Sequence, residues 1–502
     1  ITASAKTAKR TERGRTSNKM RNLTLLTDLY ELTMAYGFYK HGKHEEEAVF
    51  DIFFRQNKLI TYSLAAGLEQ AMEYLLNWRF SAEDMAYLRS LGLFGEDFLA
   101  YLENMRFTGD VYAVKEGEPV FPGEPILTVK APLIQAQFAE TALLNIINHQ
   151  TLIATKSSKI CRAAGKGSVM EFGLRRAQAP DAGIYGARAA VIGGCSSTSN
   201  VLAGQMFGVP VSGTMAHSWV MDFDSEYEAF KAYAKIYPDN CLLLVDTYDT
   251  LRSGVPNAIK VFKELAAEGY RPRGIRLDSG DFAYLSKKAR KMLDEAGFPD
   301  AIICASGDLD EYSISSLMQQ DAKIDLWGVG TKLITSEEMP ALGGVYKLAA
   351  VFKDGKMIPK IKLSDNAAKI TNPSFKNLFR LYDKESGMAI ADLITMRDEH
   401  IDESKPLTIF HPLETWKRTT VRNFRAEPLL HTIVEKGKLV YRFPSLMDVR
   451  AFSKTELSKF WEEYLRLDMP QLYKVDLSEK LHALKSRMLD EIRGGTGGET
   501  EK

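Results

Sequence analysis

The stretch Gly274-Ile275-Arg276-Leu277-Asp278-Ser279-Gly280-Asp281 is an apolar run that ends in charged and small residues. Arg276 and Asp278 stand two apart, so on a strand both side chains leave the same face. The pattern repeats on both sides. Upstream lies Leu-Leu-Leu-Val245-Asp246-Thr247-Tyr248-Asp249; downstream lie Ile302-Ile303-Cys304-Ala305-Ser306-Gly307-Asp308 and Leu326-Trp327-Gly328-Val329-Gly330-Thr331. The apolar stretch 207–211 reads as another short strand, ending in a Gly/Ser/Thr-rich turn that carries His217, one of eight histidines. From about Val169 to Val351 such runs recur roughly every 30 residues, with helical patterns between most of them. This is βα alternation, and its natural closure is a barrel of seven or eight strands with Val345-Tyr346-Lys347-Leu348 last. Some intervals lack a full helix, so the expected fold is α/β with an irregular, TIM-like barrel. Parallel barrels carry their chemistry at the strand ends, where these polar residues fall.

The 502 residues exceed one ordinary domain. Residues 20–150 precede the barrel segment 151–360. They predict a helix opening at Thr27-Asp28, a strand over 48–54, helices within 65–106, short strands over 108–130 and a long helix from about 135 to 164. Segment 361–493 reads as mixed, with a hairpin at 431–441 and surface helices at 457–466 and 478–492. Residues 1–19 are basic and acid-poor, a leader expected to be disordered and outside the fold. A transit peptide is one reading of it, and vector-derived translation ahead of Met20 is another. The tail 494–502 is also expected to be disordered.

Lys+Arg and Asp+Glu both total 65, so bulk charge gives no reason to expect a nucleic-acid or membrane-surface partner. Apolar runs fall short of the ~20 residues of a membrane span. Cys161, Cys195, Cys241 and Cys304 are far apart without a CxxC, which fits buried thiols of a cytoplasmic protein.

An Arg and an Asp facing a barrel mouth can bind an anion and orient a hydroxyl or a metal ion; the plainer reading is an internal salt bridge. Asp278, Asp281 and Asp308 lie in Ser/Gly turns where backbone amides can approach phosphate oxygens, and Ser306, Gly307, Gly328 and Gly330 form the late loops of that kind. Arg175 and Arg176 beside Phe172 suit a planar anion, or else cover a core ring. Cys195, in a hydroxyl-rich turn with no adjacent base, reads as a packing residue.

Taken together, Leu-Leu-Thr27-Asp28-Leu-Tyr30-Glu-Leu-Thr-Met34, Glu171-Phe172-Gly173-Leu-Arg175-Arg176, Gly213-Thr214-Met-Ala-His217-Ser218, Val245-Asp246-Thr-Tyr248-Asp249, Arg276-Leu-Asp278-Ser-Gly-Asp281, Ser306-Gly307-Asp308 and Gly328-Val-Gly330-Thr331 resemble the nicotinate phosphoribosyltransferases over residues 20 to 492. The resemblance implies ATP-assisted condensation of nicotinate with phosphoribosyl pyrophosphate (PRPP) to nicotinate mononucleotide and pyrophosphate, a step of NAD salvage. It implies a barrel plus a mixed α+β domain built from both chain ends. It implies a transient phosphohistidine at His217, and nicotinate held by Phe172, Thr214, Arg276 and, from the other subunit of a homodimer, Tyr30. Thr331 matches a PRPP contact; Arg175, Ser306, Gly307, Gly328 and Gly330 are expected with it. Asp246 and Asp278 are expected to orient ribose or Mg²⁺ held mainly through substrate. One departure is Asn372-Pro373-Ser374, where relatives commonly have Pro-Gly.

The nicotinamide-specific relative carries an Asp in the turn matching 194–200. This chain has Cys-Ser-Ser-Thr-Ser-Asn, which tolerates a carboxylate substrate. A phosphate-binding lyase or isomerase would want a Schiff-base Lys or a paired acid and base at the strand ends, and Lys332 and Lys347 alone of the lysines end a barrel strand. A binding scaffold leaves the strand-end His, Arg, Asp and Gly unexplained.

Overall fold

The structure is a computed structural model that describes residues 21–56, 61–366, 369–414 and 416–495. The basic leader and residues 496–502 of the tail lie outside the described residues. The chain divides into two units, one formed by 152–340 and 445–453, the other by the remaining described residues.

In the first unit, Gly274–Leu277 is one strand of a six-stranded parallel sheet. Its order is Ser197–Thr198, Ser168–Glu171, Leu326–Val329, Ile302–Gly307, Gly274–Leu277, Leu242–Leu244. Every pair is parallel, so all the strands end at one edge. The first strand in the chain, Ser168–Glu171, pairs with the last, Leu326–Val329. Val211 adds an isolated parallel bridge to Thr198 beyond the outer strand. Ile275, Leu277 and Ile303 pack with Val261, Phe262, Leu265 and Leu293 of the helices Val255–Ala267 and Phe282–Glu295 in one buried cluster. The intervening Arg276 and Cys304 line a cavity on the opposite side of the sheet.

Two expected strands of this series are different. The segment 207–211 contributes only the Val211 bridge. Asn200 caps the helix Val201–Phe207 by accepting from the Ala203 N–H, and Gly208 at φ 69° ends it, which leaves too few residues for a strand. His217 then begins a short helix, His217–Met221. Val345–Leu348 falls inside the strand Gly344–Lys353, which pairs antiparallel with Glu47–Phe54 in the second unit. Asp354 and Gly355, both at positive φ (51° and 72°), turn it straight back into Lys356–Pro359, as a two-residue hairpin requires.

The second unit holds a seven-stranded sheet ordered Lys356–Pro359, Gly344–Lys353, Glu47–Phe54, Leu127–Pro132, Asp110–Ala113, His431–Glu435, Lys438–Leu439. A six-stranded sheet from the C-terminal segment is antiparallel except where Ala389–Met396 meets Val475–Leu477. The opening helix is Leu29–Lys40 with Asp28 as its N-cap. The long helix expected over 135–164 is two, Leu133–Phe138 and Glu140–Ala163. The C-terminal helices are Leu446–Leu457, the short Glu462–Leu465 and Glu479–Gly495, so the helix expected over 457–466 is broken between Leu457 and Glu462. Among the described residues no helix is long and apolar enough to cross a membrane.

Candidate active site

Arg276 leaves its strand toward the cavity, and four groups fix its guanidinium. Nη2 donates to Asp278 Oδ1 at 2.8 Å and Nε to Ser306 Oγ at 2.8 Å; Nη1 donates to Thr214 Oγ1 at 3.1 Å and the Met215 carbonyl at 3.3 Å. The expected common face of Arg276 and Asp278 is thus a direct ion pair, with Arg276 15% and Asp278 28% exposed. Ser306 also donates to Asp278. Burial raises the Asp278 pKa, but the Ser306 hydroxyl and Arg276 outweigh it and hold the carboxyl below its ordinary range. Asp278 is therefore a carboxylate at neutral pH.

Asp246, one strand over, accepts through Oδ2 from the Asp278 N–H (2.9 Å) and the Ser279 hydroxyl (2.7 Å). Its Oδ1 is buried without a hydrogen-bond partner. His217 faces the same acids. Its Nδ1 is 3.1 Å from Thr247 Oγ1, and its Nε2 is 3.6 Å from Asp278 Oδ2. A ring held on one nitrogen by a hydroxyl presents the other in a defined direction.

Phe172 follows the Ser168–Glu171 strand. Arg276 Cζ lies 5.8 Å from its ring centroid, within cation–π range. A Cβ on Gly328 would stand 2.7 Å from the ring, so only glycine lets Phe172 lie flat against that strand. The cavity, about 110 Å³, is lined by Met170, Phe172, Ser196, Ser197, Ser212, Thr214, Leu242, Arg273, Arg276 and Cys304 among others. Its polar walls are hydroxyls and guanidiniums, and among the described residues no carboxylate lines it. Gly307 (φ 125°) ends its strand, and Gly330 and Thr331 follow the Leu326–Val329 strand, at the same sheet edge.

The structure thus gathers His217, Asp246, Asp278, Thr214, Arg276, Ser306 and Phe172, with Gly307 and Gly328 on adjoining strands and Gly330 and Thr331 at the start of the helix Thr331–Ile334. Arg175 lies in the exposed 3₁₀ turn Leu174–Arg176. Tyr30 belongs to the second unit, on the helix Leu29–Lys40, 46% exposed.

Three groups escaped the sequence reading. Thr247 contacts His217, and its signal was its place between the two acids of Val245-Asp246-Thr247-Tyr248-Asp249. Lys332 pairs with Asp310 at 2.8 Å, joining two neighbouring loops. Glu171, fully buried behind the sheet, accepts from the Gly173 N–H and from the Thr198 hydroxyl (2.6 Å), which fixes the turn that carries Phe172. Burial raises its pKa, partly offset by Thr198 and the Gly173 amide.

Comparison with known proteins matches three family profiles in succession. They are the nicotinate phosphoribosyltransferase (NAPRTase) N-terminal domain over residues 25–148, the NAPRTase family over 168–404, and the nicotinate phosphoribosyltransferase C-terminal domain over 375–485. Nicotinate phosphoribosyltransferase of Bacillus subtilis is 50% identical over 480 residues, covering 94% of this chain and 98% of that protein. That of Dictyostelium discoideum is 38% identical over 526 residues, covering 93% and 88%. The crystal structure of human nicotinic acid phosphoribosyltransferase superposes with a TM-score of 0.81 at 31% identity, covering 92% of this chain and all of that one.

Proposed function

This chain belongs to the nicotinate phosphoribosyltransferase family, and on that basis we propose how its residues divide the work. The reaction transfers phosphoribose from PRPP to nicotinate, a step of NAD salvage. We assign the cavity to nicotinate: its ring lies on Phe172 and its carboxylate pairs with Arg276 beside Thr214. The observation that carries this is the fixed Arg276 guanidinium beside the Phe172 ring, in a cavity whose other polar walls are hydroxyls and the Arg273 guanidinium. A neutral amide would gain little from a buried guanidinium, whereas a carboxylate gains a charge-assisted bond. Tyr30 closes the ring slot from the second subunit of a homodimer.

Ser306, Gly307, Gly328, Gly330 and Thr331 receive the phosphates of PRPP through backbone amides and hydroxyls, with Arg175 as a further cation. Asp246 and Asp278 orient the ribose. They are also the residues that would hold Mg²⁺, and the partnerless Asp246 Oδ1 beside the ionised Asp278 fits that role. An ion held by these two carboxylates would take most of its ligands from substrate oxygens and water. Mg²⁺, when bound, offsets the charge of the leaving pyrophosphate.

ATP is the co-substrate and His217 its acceptor. With Nδ1–H donating to Thr247, Nε2 presents its lone pair to the γ-phosphorus, and the phosphoryl group biases the site toward tight substrate binding until it is hydrolysed. The parallel sheet is read as an irregular TIM-like barrel. What supports this reading is that the sheet is parallel throughout and that residues of both its edges, Ser197 and Leu242, line one cavity. The second unit then combines both chain ends as the mixed α+β domain, and the protein acts in the cytoplasm.

The test uses γ-labelled ATP and pyrophosphate release. Wild type should yield acid-labile, base-stable label on the peptide holding His217. His217→Asn should lose ATP hydrolysis and the ATP-driven gain in affinity, yet keep slow ATP-independent transfer. Acid-stable label, or label that survives in the Asn variant, excludes the phosphohistidine.

A further inference from the structure

Cys195 opens the loop whose next two residues, Ser196 and Ser197, line the cavity. Its Sγ lies 3.3 Å from Ser157 Oγ, and the same oxygen stands 3.9 Å from Cys161 Sγ. Ser157 and Cys161 are four apart on the helix Glu140–Ala163, so they share a face. A Cβ on Gly194 would sit 3.1 Å from Cys161 Sγ, which places that sulfur against the backbone leading into Cys195. Arg450 donates to the Gly194 carbonyl through Nε (3.0 Å) and Nη2 (2.9 Å), which brings a cation to the same spot. Cys161 is partly exposed and Cys195 is buried.

We propose that Cys161 and Cys195 form a redox-active thiol pair whose closure to a disulfide reshapes the wall of the cavity. Cys161 is the attacking sulfur. The neighbouring Cys195 thiol lowers its pKa against the opposing effect of burial, with Ser157 and Arg450 adding to the lowering. The oxidant is a hydroperoxide. The Cys161 thiolate attacks its terminal oxygen, the O–O bond breaks, and the alkoxide leaves and takes a proton, giving a sulfenic acid. Cys195 then attacks the sulfenic sulfur, its proton leaves with the hydroxide as water, and the S–S bond forms. Two thiols are oxidised and one hydroperoxide is reduced to an alcohol.

A disulfide holds its Cβ atoms about 3.8 Å apart and its sulfurs about 2 Å apart. Closure therefore removes the Ser157 contact and draws Cys195 toward the helix. Ser196, which is bonded to the Val169 carbonyl through both N–H (2.8 Å) and Oγ (3.0 Å), moves with it, as does Ser197. Cys241 and Cys304 serve as internal controls, because burial pushes each thiol up to about 12.

The experiment treats the full chain with hydrogen peroxide, then alkylates it under denaturing conditions for mass spectrometry, and in parallel measures the nicotinate KM. The chain should lose about 2 Da. Cys241 and Cys304 should alkylate while Cys161 and Cys195 appear in one crosslinked peptide. The KM should rise about threefold or more and recover with dithiothreitol. Cys161→Ser should keep the basal KM and ignore peroxide. Alkylation of all four cysteines, or sulfinic acid on Cys161 with Cys195 free, overturns the pair. A crosslink with an unchanged KM overturns its action on the cavity. The KM arm rests on the assignment of this cavity to nicotinate; the crosslink arm does not, so the two failures are distinguishable.

Discussion

At Arg276, strand geometry alone brought the guanidinium and Asp278 together. What it could not give is that Ser306 and Thr214, from other strand ends, complete the hold. Those contacts depend on how the strands are ordered. A substrate carboxylate on this group is worth about 1.5–3 kcal/mol as a charge-assisted bond. Arg276→Ala should therefore raise the nicotinate KM roughly ten- to hundredfold, with a smaller effect on the PRPP KM. An unchanged nicotinate KM in steady-state assays would remove Arg276 from substrate binding. Glu171 was illegible for the opposite reason: it points behind the sheet, and an acid at the end of an apolar strand does not declare which face it takes. Ser374 is a different case. It is fully buried, and its φ is 80°. A left-handed backbone costs an L-residue about 1–2 kcal/mol, while glycine gives back about 0.4–1 kcal/mol through the unfolded chain. Its amide bond to the Ala349 carbonyl is unaffected by substitution. Ser374→Gly should stabilise the protein by about 0.5–1 kcal/mol in chemical denaturation; a lower midpoint would mean that the Ser hydroxyl outweighs the strain.

Among the elements, strands were read well where turns punctuate them and less well where the partner decides. Glu47–Phe54 and the hairpin at His431 were both expected, whereas Gly344–Lys353 was assigned to the parallel series because its apolar run resembles the others. Asp354-Gly355 was the available hairpin signal against that assignment. The C-terminal sheet hides a charge cluster that the sequence gives no means of assembling. Arg380, fully buried on Lys376–Asp383, binds Asp392 of the neighbouring strand and Glu118 from far upstream. Burial pushes Glu118 up to about 7 even though Arg380 opposes it, since that cation is shared with Asp392. The folded state thus keeps a proton on Glu118 that the unfolded chain releases near its ordinary value of 4.5. The stability this group contributes is full below that value and is lost as pH rises toward about 7. Glu118→Gln cannot titrate, so its melting temperature relative to wild type should climb across this interval in calorimetry. Parallel curves for the two proteins would show that Glu118 carries no shifted proton.

For the molecule as a whole, the sequence placed the chemistry at strand ends and carried the family, but one ring of the proposed slot lies in the other unit. Tyr30, the second residue of the helix Leu29–Lys40, keeps 46% of its surface exposed. The next residue, Glu31, is fully buried and accepts from Gln137 Nε2 at 2.7 Å, which anchors this turn of the helix. A half-exposed ring on an anchored helix turn is suited to cover a ligand in a second copy of the chain. If each site takes His217 from one subunit and Tyr30 from the other, Tyr30→Ala and His217→Ala proteins fail in different halves of the site. Mixed after reversible dissociation, half of the dimers would be hybrids with one intact site of two, so about a quarter of wild-type activity should return. A site built within one chain predicts no recovery, because every site would then lack Tyr30 or His217. Sedimentation of a fully active monomer at the assay concentration would likewise rule out the shared site.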